Sequence, residues 1–215
     1  ADMTMALILA VPRRLIEGAS ILTEGKNWPG WSPTWMLGHR IGGKRLGIVG
    51  MGRIGQAIAK RALAFGMSIA YTARSAKPEL PFAFHATPRE LAAASDFLVV
   101  ITPGGAATMK MIDASVLQAL GPKGFLINVA RGSVVDEAAL IDALQRKVIA
   151  GAALDVFENE PNVPEALRAL DNVVLTPHIG SATQATRQAM ADRAFANLQA
   201  YFAGKPLPSA VPECR

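Results

Sequence analysis

Arg131, Glu160 and His178 are the residues of this chain whose types and spacing combine into a chemistry. A guanidinium grips a carboxylate in two places through its planar fork. An imidazole hands over a proton near neutral pH. A carboxylate beside that imidazole orients it and keeps it protonated. Each of the three follows an apolar, strand-like run. Arg131 ends Asn128-Val129-Ala130-Arg131, Glu160 comes after Asp155-Val156-Phe157-Glu158-Asn159, and His178 lies in Thr176-Pro177-His178-Ile179-Gly180-Ser181. Plainer roles exist for all of them. Arg131 could pair with Asp136 or Glu137 at a helix start, His178 could be structural, and Glu158 is as well spaced as Glu160. The other histidines, His39 and His85, end no sheet strand. No second His, Cys or acid has ligand spacing to His178, so no metal is expected.

The elements that must position these residues alternate regularly. Strand runs at 46–49, 67–71, 97–101, 124–129, 150–156 and 173–175 are separated by helical patterns at 53–65, 88–94, 114–120 and 136–146, with a closing helix at 182–202. Strands apolar on both faces predict an α/β fold with a doubly wound parallel sheet, a Rossmann arrangement. The carboxyl ends of such strands face the ligand crevice, which is where all three residues fall. Ahead of the sheet, residues 4–17 predict one apolar helix and residues 24–43 a loop bearing Trp28, Trp31 and Trp35.

Gly50-Met51-Gly52-Arg53-Ile54-Gly55 follows the first strand and opens a helix. In that context the motif reads as a dinucleotide pyrophosphate site. Gly50 makes the tight turn, Gly52 lets the backbone approach the phosphates, and Gly55 lets helix and strand pack closely. NAD enzymes place an acid about 20 residues beyond the first glycine, on the ribose hydroxyls. Here that region reads Tyr71-Thr72-Ala73-Arg74-Ser75, with Lys77 nearby and no acid before Glu79. A hydroxyl followed by arginine suits a 2′-phosphate, so NADP(H) is expected ahead of NAD(H). Asp155, at a strand end, is placed to take the nicotinamide carboxamide.

Composition narrows the class further. The chain has 215 residues, 51% hydrophobic, and a net charge of +5 that no run of more than two basic residues concentrates. A solvated surface is therefore expected, with no nucleic-acid partner. The apolar stretch 3–11 is too short to span a bilayer, so no membrane partner is expected. Cys214 is the one cysteine, which excludes an internal disulfide framework and favours a cytoplasmic location.

The segments GIVGMGRIG, NVARGSVVDEAAL, GAALDVFENEP and LTPHIGSAT, in this order, resemble the D-isomer-specific 2-hydroxyacid dehydrogenases. The resemblance runs from Thr4 to Pro208. It implies that Arg131 binds the substrate carboxylate and carbonyl, that His178 is the acid/base, and that Glu160 is its partner. Cofactor contacts are implied at Gly50, Gly52, Arg53, Ile54, Gly55, Thr72, Arg74, Ser75, Thr102, Pro103, Ala130, Asp155 and Gly180. The 72–75 segment and Thr102-Pro103-Gly104-Gly105 look like the NADPH-preferring glyoxylate/hydroxypyruvate reductase branch. The implied reaction is hydride transfer between NADP(H) and a small 2-oxo or 2-hydroxy acid. A nucleotide-sensing, corepressor-like module and an NAD-dependent phosphoglycerate- or formate-type dehydrogenase are the alternatives. The family also implies a homodimer and a flavodoxin-like substrate domain, most of which is missing here. On this reading residues 1–43 form the linking helix and dimer-forming loop, 44–205 the dinucleotide domain, and 206–215 a tail leading into the missing domain. The expectation is a fragment, inactive by itself.

Overall fold

In the computed structural model, which describes residues 1–211, β1 (Arg45–Val49) is buried from Leu46 onward and pairs in parallel on both sides. Its neighbours are β2 (Ser68–Thr72) and β4 (Phe97–Val100). β3 (Ala83–Phe84) extends the sheet beyond β2, and β5 (Phe125–Asn128), β6 (Gly151–Leu154) and β7 (Val173–Leu175) extend it beyond β4. The order is β3-β2-β1-β4-β5-β6-β7, all parallel. Chain order reverses across β1, the switch point at which α/β sheets open a crevice.

Parallel neighbours need crossovers. These include α3 (Arg53–Ala64), α4 (Pro88–Ala93), α5 (Ala114–Leu120), α6 (Glu137–Gln145) and the short α7 (Glu165–Arg168). The two-residue alternation of the strands splits the core into two layers. Leu46, Ile48, Phe97, Val99, Phe125 and Ile127 pack with Ile58 and Ala62 of α3 and with Ile8. Val49, Leu98, Val100 and Leu126 pack on the other side with Leu91, Leu117 and Leu140 of α4, α5 and α6. This is the doubly wound Rossmann arrangement that the apolar strand runs predict.

The N-terminal helix departs from expectation. Residues 4–17 are not one helix but parts of two, α1 (Asp2–Ala10) and α2 (Leu15–Thr23). Pro12 removes a donor, and Arg14 takes a left-handed φ of 52°. α1 buries Met5, Leu7 and Ile8 in the core, whereas α2 buries nothing and leaves Leu15, Ile16 and Leu22 more than half exposed. The two-residue β3 and four-residue α7 lie below the length at which periodicity is legible.

The chain forms two compact units, Ala1–Gly180 and a second that starts at Ser181. The second holds α8 (Gln184–Phe202), whose first turn is capped where the Thr183 hydroxyl accepts from the Thr186 N–H. Asn197 binds Ser209 through both ends of its amide. Among the described residues no helix is long and apolar enough to cross a membrane. Cys214 and the end of the 206–215 tail lie outside the described residues.

Candidate active site

Because every strand runs the same way, every return loop after a strand end opens on one edge of the sheet. Six of these loops carry the residues singled out in the sequence. The first is the glycine turn after β1. Gly50 has φ 109° and donates its N–H to the Thr72 carbonyl at 2.9 Å. A side chain there would be strained, and its Cβ would meet the Ile101 carbonyl oxygen at 2.9 Å. At Gly55 a Cβ would run into the Gly50 carbonyl oxygen, so helix and strand touch through glycine. Gly52 is the N-cap of α3 and has no side chain to cap it, and nothing lies within 4 Å of the space its Cβ would fill. Free first-turn N–H groups facing open space fit a pyrophosphate. Arg53 and Ile54 are exposed beside it.

Two cavities meet at this turn. One, of about 690 Å³, includes Thr72, Arg74, Ser75, Lys77, Thr102 and Pro103 in its wall. Thr72 is buried, Arg74 and Ser75 are exposed, and no carboxylate lines it. The other, of about 1130 Å³, is shared by the glycine turn, Ala130, Arg131, Glu158, Glu160 and His178. Together they run across the switch point, as an extended dinucleotide requires.

The second cavity brings the three chemical residues to one wall. His178 follows β7 with a left-handed φ of 53°, a backbone region in which non-glycine residues are uncommon. Its Nδ1 lies 2.8 Å from Glu160 Oε2. Of the two glutamates that spacing left open, Glu160 makes this contact. The other Glu160 oxygen accepts the Phe157 N–H at 3.0 Å, which fixes the carboxylate on its own loop. The Glu158 N–H instead donates to Glu137 at 3.2 Å. Burial pushes the Glu160 carboxyl up and is the largest single influence. The hydrogen bonds from His178 and Phe157 and the charges of His178 and Arg131 together outweigh it and hold the group below its ordinary value. Among the described residues, Nε2 of His178 has no protein partner.

Arg131 stands at the turn after β5. Its Nη1 donates to the Ala130 carbonyl at 2.6 Å. Neither Asp136 nor Glu137 pairs with it. Asp136 caps α6 through the Ala139 N–H and lies 3.5 Å from Lys110. Asn128, buried at the strand end, accepts from the Ala130 N–H and donates to the Arg131 carbonyl, both at 3.1 Å. Gly132 then presses against the 157–158 backbone so closely that a Cβ would overlap the Phe157 carbonyl. That contact sets the arginine turn beside the glutamate loop.

Asp155 and Gly180 line neither cavity. Asp155 is 2% exposed, and its carboxylate accepts from the Thr176 hydroxyl at 2.6 Å, the Ile179 N–H at 2.9 Å and the Gly180 N–H at 2.7 Å. It grips both sides of the turn that carries His178. Asn128 and Thr176 have structural parts here that their sequence context does not single out. A polar residue closing an apolar strand run is the one available signal. Among the described residues no three His, Cys, Asp or Glu side chains cluster as metal ligands.

Residues 5–180 match the family model described as D-isomer specific 2-hydroxyacid dehydrogenase, NAD binding domain. The chain is 48% identical over 216 residues to a hydroxyphenylpyruvate reductase of Plectranthus scutellarioides, and 49% identical over 211 residues to a glyoxylate/hydroxypyruvate reductase of Arabidopsis thaliana. Each alignment covers 98% of this chain and 66% of the relative, so the chain spans slightly under two thirds of their length. Among solved structures, an NADPH-dependent glyoxylate/hydroxypyruvate reductase from Sinorhizobium meliloti, in complex with NADP and malonate, superposes with a TM-score of 0.91 at 49% identity. That superposition covers 99% of this chain and 66% of the other. With the fold, the glycine turn and these matches in agreement, the chain belongs to the D-isomer-specific 2-hydroxyacid dehydrogenase family, whose NAD-binding domain it carries.

Proposed function

We propose that the whole protein is an NADP(H)-preferring reductase of small 2-oxo acids such as glyoxylate or hydroxypyruvate, acting as a cytoplasmic homodimer. The observation that carries the reading is the 2.8 Å Glu160–His178 pair on the same cavity wall as Arg131 and the uncapped start of α3. The bound reduced dinucleotide would supply the hydride. With Nη1 of Arg131 engaged by the Ala130 carbonyl, the Nε and Nη2 side of the fork is left for the substrate carboxylate. Its charge also offsets the negative charge that develops on the carbonyl oxygen as the carbon is reduced. His178, held at Nδ1 by Glu160, has Nε2 to protonate that oxygen and leaves the step as a neutral imidazole. The Glu160 carboxylate, fixed by the Phe157 N–H, keeps the ring oriented.

Arg74 and Ser75 on the 690 Å³ cavity, with no acid beside them, favour a 2′-phosphate over a 2′-hydroxyl. The exposed apolar residues of α2 and Trp28 and Trp31 support self-association. The test is a panel of glyoxylate, hydroxypyruvate, 2-ketogluconate and hydroxyphenylpyruvate with NADPH and NADH. Turnover of at least one, faster with NADPH, is the expected result. Tight cofactor binding with no turnover of any 2-oxo acid would instead make the protein a nucleotide-binding module.

A further inference from the structure

The geometry points to Tyr71 as a positioning residue for cofactor choice: its buried hydroxyl closes loop 72–77 and so sets where Arg74 stands. This inference rests on the reading of Arg74 as the 2′-phosphate contact. Tyr71 is 1% exposed, with its ring in the core below β2 and 5.5 Å from the Phe84 ring. Its own carbonyl is taken by the His85 N–H at 2.9 Å. The hydroxyl is the one polar atom of this side chain. It accepts the Lys77 N–H at 2.6 Å, and it lies 3.4 Å from the Lys77 carbonyl, to which it donates.

The loop is therefore tied at both ends. At its start, the Thr72 carbonyl accepts from Gly50 in the phosphate turn. At its end, Lys77 is held to the phenol and turns through its carbonyl into the Leu80 N–H at 3.0 Å. Arg74 and Ser75 lie between the two ties, exposed, and among the described residues the Arg74 side chain makes no hydrogen bond or ion pair. A long cationic side chain on an untied loop loses much of its ability to discriminate, because ordering the loop is then charged against binding. Pinning the loop to the core removes that cost before the cofactor arrives. Tyr71 does not line the cavity, so it acts through the loop.

The experiment is a double-mutant cycle in the whole protein, with Tyr71→Phe, Arg74→Ala and the pair titrated with NADPH and NADH by nicotinamide fluorescence. Phenylalanine keeps the ring and its packing and removes only the hydroxyl. We expect Tyr71→Phe to weaken NADPH roughly three- to tenfold, the range of one neutral hydrogen bond, with NADH changed by less than about twofold. In the double variant, Tyr71→Phe should add little to the loss from Arg74→Ala. A selective loss for Arg74→Ala with no change in selectivity for Tyr71→Phe overturns this inference and leaves the parent reading intact. Equal losses for both cofactors in Tyr71→Phe, or fully additive losses in the pair, also overturn it. An unselective Arg74→Ala overturns the parent reading itself. Thermal unfolding of each variant separates a general loss of stability, which would not change the ratio of the two affinities.

Discussion

At the His178 end of the crevice each functional side chain, or the turn that carries it, is held by hydrogen bonds within its own return loop or to a neighbouring one. At the Arg74 end the charge stands in solvent on a loop tied only at its ends. Arg131 is bracketed by Asn128 and Ala130, Glu160 by Phe157, and the His178 turn by Asp155. Arg74 is exposed, and the nearest anchors of its loop are Thr72 and Lys77. The difference fits the tasks proposed for the two ends. Proton transfer demands reacting atoms at fixed distance and angle, and small displacements are costly. Recognition of a dianionic phosphate by one arginine tolerates more freedom, provided the loop is already formed.

The largest effect should come from breaking the rigid end. His178→Ala removes the proposed proton donor, and reduction should fall about 10²–10⁴-fold, the usual worth of a general acid. NADPH affinity, read by fluorescence titration, should stay nearly unchanged. A parallel loss of affinity would mean that the two ends are not separate. Next is Arg131→Lys. A point charge cannot reproduce two-point carboxylate recognition, so the apparent KM for the 2-oxo acid should rise roughly tenfold to a hundredfold with the cofactor Kd unaltered. Arg74→Ala should give the mirror result at the other end, weakening NADPH by a comparable or smaller factor while NADH and the 2-oxo acid KM barely move.

The smallest effect is a shift in pH dependence. Glu160 has a lowered pKa, so its ionised form, and the stabilisation from its pairing with His178, are fully present above the ordinary carboxylate range. They are lost as pH falls through the lowered value. In Glu160→Gln that acid limb should vanish from the rate profile. If Glu158→Gln removed that limb and Glu160→Gln did not, the assignment of the partner would be reversed.

Much of this was legible in the sequence because it is local. Apolar runs of four or five residues gave the central strands, and three glycines in six residues gave the phosphate turn. The break between α1 and α2 was not legible, because an apolar run on both sides of Pro12 reads as continuous helix. The left-handed Arg14 is a tertiary outcome, accompanied by the His39 N–H reaching back to the Pro12 carbonyl at 2.8 Å. Nor could spacing choose between Glu158 and Glu160, because the contact that decides it spans 18 residues. The parts played by Asn128, Thr176 and the Asp155 grip are of the same kind. Each depends on which loop the fold brings alongside, and a polar residue at a strand end looks alike in sequence whether it faces ligand or backbone.

The common direction of the strands has an evolutionary corollary. The segment that carries Arg74, 72–77, and the turns that hold Arg131 and His178 belong to different strand ends, and the sheet between them is closed by backbone pairing indifferent to what the loops carry. On the proposed function, a descendant could therefore exchange its cofactor by rewriting one short loop while inheriting the turns of Arg131 and His178 unchanged. It can equally alter its appetite for one acid over another without relearning how to hold a nucleotide.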